Sequence, residues 1–348
     1  MKFSKLFLIA LSVSLFVSCS NDDESNKPKG IYDSGFFILN EGSKSKGTIS
    51  FSNDDFTTFT KDVYALANSN DLPGGYLQNI FFDGDNAYII SGGSNVINVV
   101  NRYTFKLIAK IKTGLANPRY GVAKDGKAYV TNANTYSFEN PATGNTDDYV
   151  AVINLATNTV DTKITLNTTA NRIVLENGKL YITEPNNNDK LLVINPSTNA
   201  LETPVTIGTN CDSMDVKDGI LYILRNPSLG RSEIVKVKLS DKSVTRITFP
   251  KSLDGAANLD IEDSKIYYTV KNSVYTMSTS ATEATTTAIL TSTLPGYISG
   301  FAVHNNHIYI ADGGNFGSDS KAYIYSLNGA LEKELMVGVG PNGFYFNN

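Results

Sequence analysis

One pattern recurs six times along the chain: a turn, then an apolar residue, a tyrosine and another apolar residue. The copies read DGDNAYIIS, KDGKAYVTN, ENGKLYITE, KDGILYILR, EDSKIYYTV and HNNHIYIAD. Their tyrosines are Tyr88, Tyr129, Tyr181, Tyr222, Tyr267 and Tyr309, separated by 41, 52, 41, 45 and 42 residues. A seventh copy, GFFILN, puts Phe37 in the tyrosine slot, 51 residues ahead of Tyr88. A unit of this kind cannot bury its apolar faces alone. A strand-built period of about 40–45 residues predicts an all-β fold, a seven-bladed β-propeller with four antiparallel strands per blade.

Each repeat divides into four strands. A short apolar strand A precedes the turn, at 80–82, 121–123, 173–175, 214–216, 259–261 and 301–303. Strand B carries the tyrosine. Alternating segments such as NVINVVN and VAVINL supply strand C, and segments such as VDTKITLN and SVTRITFP supply strand D. Asn-Gly, Asp-Gly and Asn-Asn in the A-to-B turns give the positive φ that tight hairpins require. No segment has a convincing helical period. The two ends complement each other: GFFILN is a B strand without an A strand, and PNGFYFNN is an A strand without a B strand. Pairing them completes the seventh blade and removes two open edges. The repeated tyrosines are therefore read as packing groups.

In a propeller the D-to-A and B-to-C connections share the face around the channel mouth. Counting ten residues back from each slot gives Gln78, Arg119, Asn171, Asp212, Ala257, Ser299 and Asn342. The next column gives Asn79, Tyr120, Arg172, Ser213, Asn258, Gly300 and Gly343. Both columns enter strand A, so they are expected to ring the opening and offer donors and acceptors to one polar ligand. The two longest spacings carry insertions on this face, ANTYSFENPATGNTDDY and ALANSNDLPGGY, which add Tyr136, Phe138 and Tyr76 as aromatic contacts. The bland alternative is a solvated loop rim, polar as such rims are by default.

Established chemical signatures are missing. There is no CxxC, HExxH, Walker loop or GxSxG. His304 and His307, the only histidines, fall in an A-to-B turn on the far face. No metal site or required cofactor is expected; a Ca2+ loop is the alternative reading of DGGNFGSDS, which lacks EF-hand spacing. Two carboxylates, Asp215 and Asp260, stand out in a channel column otherwise made of Phe81, Val122, Val174, Ala302 and Tyr345. Tryptophan is absent, which argues against WD-type propellers.

Residues 1–18 read as a lipoprotein signal peptide: Lys2 and Lys5, the apolar run 6–17, then Cys19, the residue to be acylated. Residues 19–32 are polar and acidic and read as a tether, leaving 33–348 for the propeller. Loss of residues 1–18 with their two lysines takes the net charge from −4 to −6, and no basic patch suggests nucleic acid. With Cys19 acylated, Cys211 has no partner for a disulfide.

Tyr129-Val130-Thr131-Asn132 is the YVTN signature, and the periodic copies resemble the YVTN (YncE-like) family of bacterial propellers. The opening GFFILNEGSKSKGTISFSNDDF resembles the first blade of a Bacteroidetes family of surface lipoproteins that includes the cobalamin-binding BtuG proteins. That resemblance implies an outer-membrane, surface-exposed location, a corrinoid as ligand and a TonB-dependent outer-membrane receptor as partner. It carries Asn40, Glu41 and Gly42 onto the ligand face. Two other functions stay open at this point. One is a Ca2+-dependent lactonase or esterase using Asp212, Asp215 and Asp260; the other is an adhesion or scaffold module that binds protein or glycan.

Overall fold

The computed structural model describes residues 29–44, 46–134, 147–184 and 188–347. Seven small antiparallel sheets form a ring, a seven-bladed β-propeller. The innermost strands of blades 2 to 7 are Leu77–Asp83, Pro118–Lys124, Ile173–Glu176, Cys211–Lys217, Ala256–Glu262 and Ile298–His304. Blade 1 takes its innermost strand, Pro341–Phe346, from the far end of the sequence and pairs it with Phe36–Asn40. Phe37 lies opposite Tyr345 and Ile38 opposite Phe344. Past this strand Asn347 N–H donates to Gly35 O at 2.8 Å and its side chain donates to Tyr32 O, so the closing strand is pinned at its end.

The hairpins form where the sequence permits a left-handed backbone. Asp125-Gly126, Asn177-Gly178, Asp218-Gly219 and Asn305-Asn306 all take positive φ at both turn positions. That geometry matches the twist of the flanking strands. Strands B and C are buried on both sides, as in Phe36–Asn40 and Val96–Asn101, because each blade is covered by two neighbours. Outer strands such as Thr159–Thr165 are largely exposed.

Each of the seven junctions between neighbouring blades holds its own apolar cluster. Phe36 and Ile38 of blade 1 pack on Tyr309, Ala311 and Ile324 of blade 7. Tyr222 and Leu224 of blade 5 pack on Leu259, Ile266 and Tyr268 of blade 6. The slot tyrosines lie in these junctions, each no more than 4% exposed; Tyr88 stacks on Phe81 with ring centroids 4.8 Å apart.

Two details depart from the sequence expectations. The D-to-A insertion 65–76, read without a helix, begins inside the helix Val63–Ala67. Asp62 caps it by accepting from Ala65 N, and Val63 and Tyr64 are buried. Five residues are too few for a helical period to show in a sequence. In blade 4 the outermost strand is split into Ala200–Leu201 and Val205–Thr206. Among the described residues no helix is long and apolar enough to cross a membrane.

Candidate functional site

The inner strands enter the channel irregularly. In six of the seven blades the ladder between strands A and B shifts register at its mouth end. The residues displaced from the ladder include Gln78, Arg119, Tyr120, Asp212, Ser213, Asn258, Ser299 and Asn342. A bulge inserts a residue without a partner and re-aims its side chain. The two sequence columns therefore coincide with bulges, which turn polar side chains toward the mouth. In blade 4 Asn171 and Arg172 do the same work just ahead of Ile173–Glu176.

Two adjoining cavities result. The central one, 260 Å³, is lined from all seven blades and includes Gln78, Asn79, Tyr120, Arg172, Ser213, Asn258, Ser299, Asn342 and Tyr345. The second, 440 Å³, is off-centre over blades 5, 6, 7 and 1; its lining includes Glu41, Asp212, Asn258, Ser299 and Asn342. Arg172 organises the centre. Its Nε donates to Asp212 Oδ1 at 3.0 Å, and its guanidinium lies 4.8 Å from the centroid of the Tyr120 ring. Burial works against the Arg172 charge, but Asp212 and Tyr120 more than offset it and its pKa rises. Asn79 Oδ1 accepts from Gly121 N at 3.2 Å, and Asn342 Nδ2 donates to Leu77 O at 2.9 Å, so both amides are tied to a neighbouring sector.

The remaining expected residues take varied positions. Arg119 Nε donates to Asn171 Oδ1 at 3.2 Å on the rim. Glu41 faces Arg119; burial raises its carboxyl above the ordinary value and Arg119 opposes the rise. Tyr76 is exposed but lines neither cavity. Asn40 is fully buried, a correction to its place on the ligand face: its Nδ2 donates to Ser50 Oγ and Thr48 Oγ1, both at 3.1 Å, so it braces the first blade from inside. Cys19, Tyr136 and Phe138 lie outside the described residues. Cys211 is buried and donates to Gly208 O; burial pushes its thiol up to about 12, which leaves it inert.

Deeper in the channel, Asp215 and Asp260 meet at one amide. Ile261 N–H donates to Asp215 Oδ2 and to Asp260 Oδ1, both at 2.9 Å. Val216 N donates to the other Asp215 oxygen and Val303 N to the other Asp260 oxygen, each at 2.7 Å. Every carboxylate oxygen of the pair thus accepts from inner-strand backbone, joining blades 5, 6 and 7. Burial and the charge of Asp215 hold Asp260 well above the usual carboxylate range.

Asp148 is a third such staple. It accepts from Asn134 N of blade 3 and from Ala170 N on the approach to blade 4, and burial raises it to about 7. A raised pKa means that the folded state holds protons the unfolded chain releases. Stability is therefore fully present below pH 3.8 for this group and falls as pH rises toward about 7. The expected slope approaches about −1.4 kcal/mol per pH unit in that window. Urea titrations at several pH values measure it, and Asp148→Asn should flatten the profile between pH 4 and 7, whatever its effect on absolute stability.

Sequence comparison decides the family. A model described as Domain of unknown function (DUF5074) matches residues 34–292. The chain belongs to the DUF5074 family. The match spans blades 2 to 6 and the three N-terminal strands of blade 1. A comparison with curated proteins returned no match. Among solved structures, this DUF5074 chain is similar to a functionally unknown protein from Desulfotomaculum acetoxidans, with a TM-score of 0.68 at 9% identity over 90% of this chain and 98% of that one. A Bacteroides fragilis protein described as a candidate 6-phosphogluconolactonase gives 0.65 at 14% identity, covering 91% and 99%. A streptogramin B lyase gives 0.61 at 10% identity, covering 80% and 92%. At such identities the likeness concerns the fold.

The polar and aromatic residues that line the off-centre cavity of this DUF5074 chain and that the sequence reading did not name are Asn210, Asn226, Tyr297 and Phe316. Tyr297 had a signal. LPGGYLQN and LPGYISGF enter blades 2 and 7 with the same Pro-Gly-Tyr elements, so Tyr297 is the counterpart of Tyr76. Phe316 sits in the B-to-C loop of blade 7, seven residues after the slot tyrosine, where blade 3 has Tyr136.

Proposed function

We propose that this DUF5074 chain is a non-catalytic capture protein, lipid-anchored at Cys19 on the outer-membrane surface. It holds a small polar ligand at the channel mouth and passes it to a TonB-dependent outer-membrane receptor. The observation that carries the reading is the convergence of polar side chains from seven blades, six of them bulged there, on one mouth. Polar groups placed by bulges on a rigid ring are pre-organised, which lowers the cost of binding. The lipoprotein features of residues 1–32 and the first-blade resemblance support the location and the partner. The same resemblance makes corrinoids the first ligands to test, because their peripheral carboxamides suit a ring of amides, Arg172 and Tyr120. Cavities of 260 and 440 Å³ suit engagement of such a ligand across the rim.

The carboxylates a hydrolase would use have another role in this reading. Asp215 and Asp260 are acceptors for four backbone contacts, and Asp212 is paired with Arg172. Equilibrium dialysis of the mature protein against cobalamin and cobinamide tests capture. Saturable retention is expected, with Arg172→Ala weakening it by about tenfold or more. No retention of either compound removes the corrinoid version. EDTA-sensitive hydrolysis of aryl lactones or esters by the same protein contradicts the non-catalytic one.

A further inference from the structure

The off-centre cavity has a composition that narrows the ligand class, on the reading that the mouth is a capture site. Its lining carries the carboxylates Glu41 and Asp212, the amides Asn210 and Asn226, and no lysine or arginine. Two aromatic side chains, Tyr297 and Phe316, complete the wall. Each rests against a glycine. A Cβ on Gly313 would lie 2.5 Å from Tyr297 Cζ, and one on Gly340 would lie 2.6 Å from Phe316 Cε1. A side chain at either glycine would push the ring above it out of this position. Phe316 also takes a φ of 58°, a strained conformation for a bulky side chain. Yet Tyr297 remains 50% exposed and Phe316 46% exposed. Backbone fixes part of each ring, and the rest is left facing solvent over a polar floor.

We propose that this cavity is a saccharide subsite. A pyranose has an apolar C–H face and a perimeter of hydroxyls. The C–H face stacks on a fixed, half-exposed ring, and carboxylates and carboxamides take adjacent hydroxyls as both donors and acceptors. The lining itself holds no cation, and its carboxylates already face arginines behind them, Asp212 at Arg172 and Glu41 at Arg119, so no positive group is left to draw an anion in. A flat ligand without polar substituents would cover the rings but leave Asn210 and Asn226 desolvated and unanswered.

The test uses the mature protein with maltose, cellobiose and N,N′-diacetylchitobiose as probes and cobinamide as the planar comparison. Saturation-transfer NMR and calorimetry supply the readout. The expected result is transfer to the C–H protons of one sugar face for at least one probe. Tyr297→Ala and Phe316→Ala should each weaken that binding by about tenfold. Tyr297→Phe should retain it, and Gly313→Ala should weaken it by displacing the Tyr297 ring. Both aromatic residues are at the surface, so the fold survives their replacement. Binding of cobinamide without binding of any saccharide overturns the subsite and leaves the capture reading standing. Saccharide binding that is unchanged in both alanine variants also overturns it. Retention of neither class counts against the subsite and against capture together.

Discussion

A chain ending at Gly340 is expected to lose its cooperative fold. The deletion removes the strand Pro341–Phe346, its five partner pairs with Phe36–Asn40, and the Asn347 ties to Gly35 and Tyr32. It also uncovers Phe36, Ile38 and Tyr309 at the junction with blade 7. The open edge that remains, Phe36–Asn40, is apolar and unprotected, the kind of edge that recruits other chains. Native domains are stable by about 5–15 kcal/mol, and a loss of this extent is of that order. Circular dichroism and urea unfolding should show a broad, weak transition or aggregation. A circular permutant that joins residue 347 to residue 33 and opens an A-to-B turn elsewhere should fold, because the missing pairing is then covalent. A truncated chain with the full-length midpoint would mean that ring closure contributes little.

The second large effect is expected at Phe37, which fills the slot occupied by tyrosine in the other blades. Phe37 is fully buried, with ring centroids 4.7 Å from Phe105 and 5.3 Å from Phe51. Phe37→Ala leaves a cavity between blades 1 and 2 and should cost about 3–5 kcal/mol, read as a drop in the urea midpoint at constant slope. Tyr222→Phe should cost much less, because the ring does the packing and survives. If these slots were ligand contacts, Tyr222→Phe would alter binding and Phe37→Ala would leave stability nearly unchanged.

The ring was legible because its parts have local causes. Asp-Gly, Asn-Gly and Asn-Asn are the residues that take left-handed turns, and each is followed by a strand whose central aromatic must be buried. A strand without a partner at one end and its complement at the other leave little choice of topology. The mouth was legible by counting: in six of the seven blades the positions ten and nine before the slot lie at the bulges, and in blade 4 they lie just ahead of Ile173–Glu176. The bulges themselves were not, because a register shift depends on how two backbones meet and has no compositional mark here. Asn40 shows the limit of resemblance. Its motif position suggested a ligand contact, whereas its amide donates inward to Thr48 and Ser50. Asp215 and Asp260 were conspicuous in an apolar column, but sequence does not disclose that backbone amides of the next blades are their partners. Tyr297 was within reach through its likeness to Tyr76, and Phe316 through its place seven residues after the slot, where blade 3 has Tyr136.

Recognition at the mouth is the central claim, and hydrogen–deuterium exchange with and without a retained ligand tests it most directly. Protection is expected to concentrate at residues 76–82, 118–122, 171–174, 210–214, 256–259, 297–300 and 340–345. Protection confined to the opposite turns, at 83–86, 124–127, 217–220, 262–265 and 304–307, would contradict recognition at the mouth.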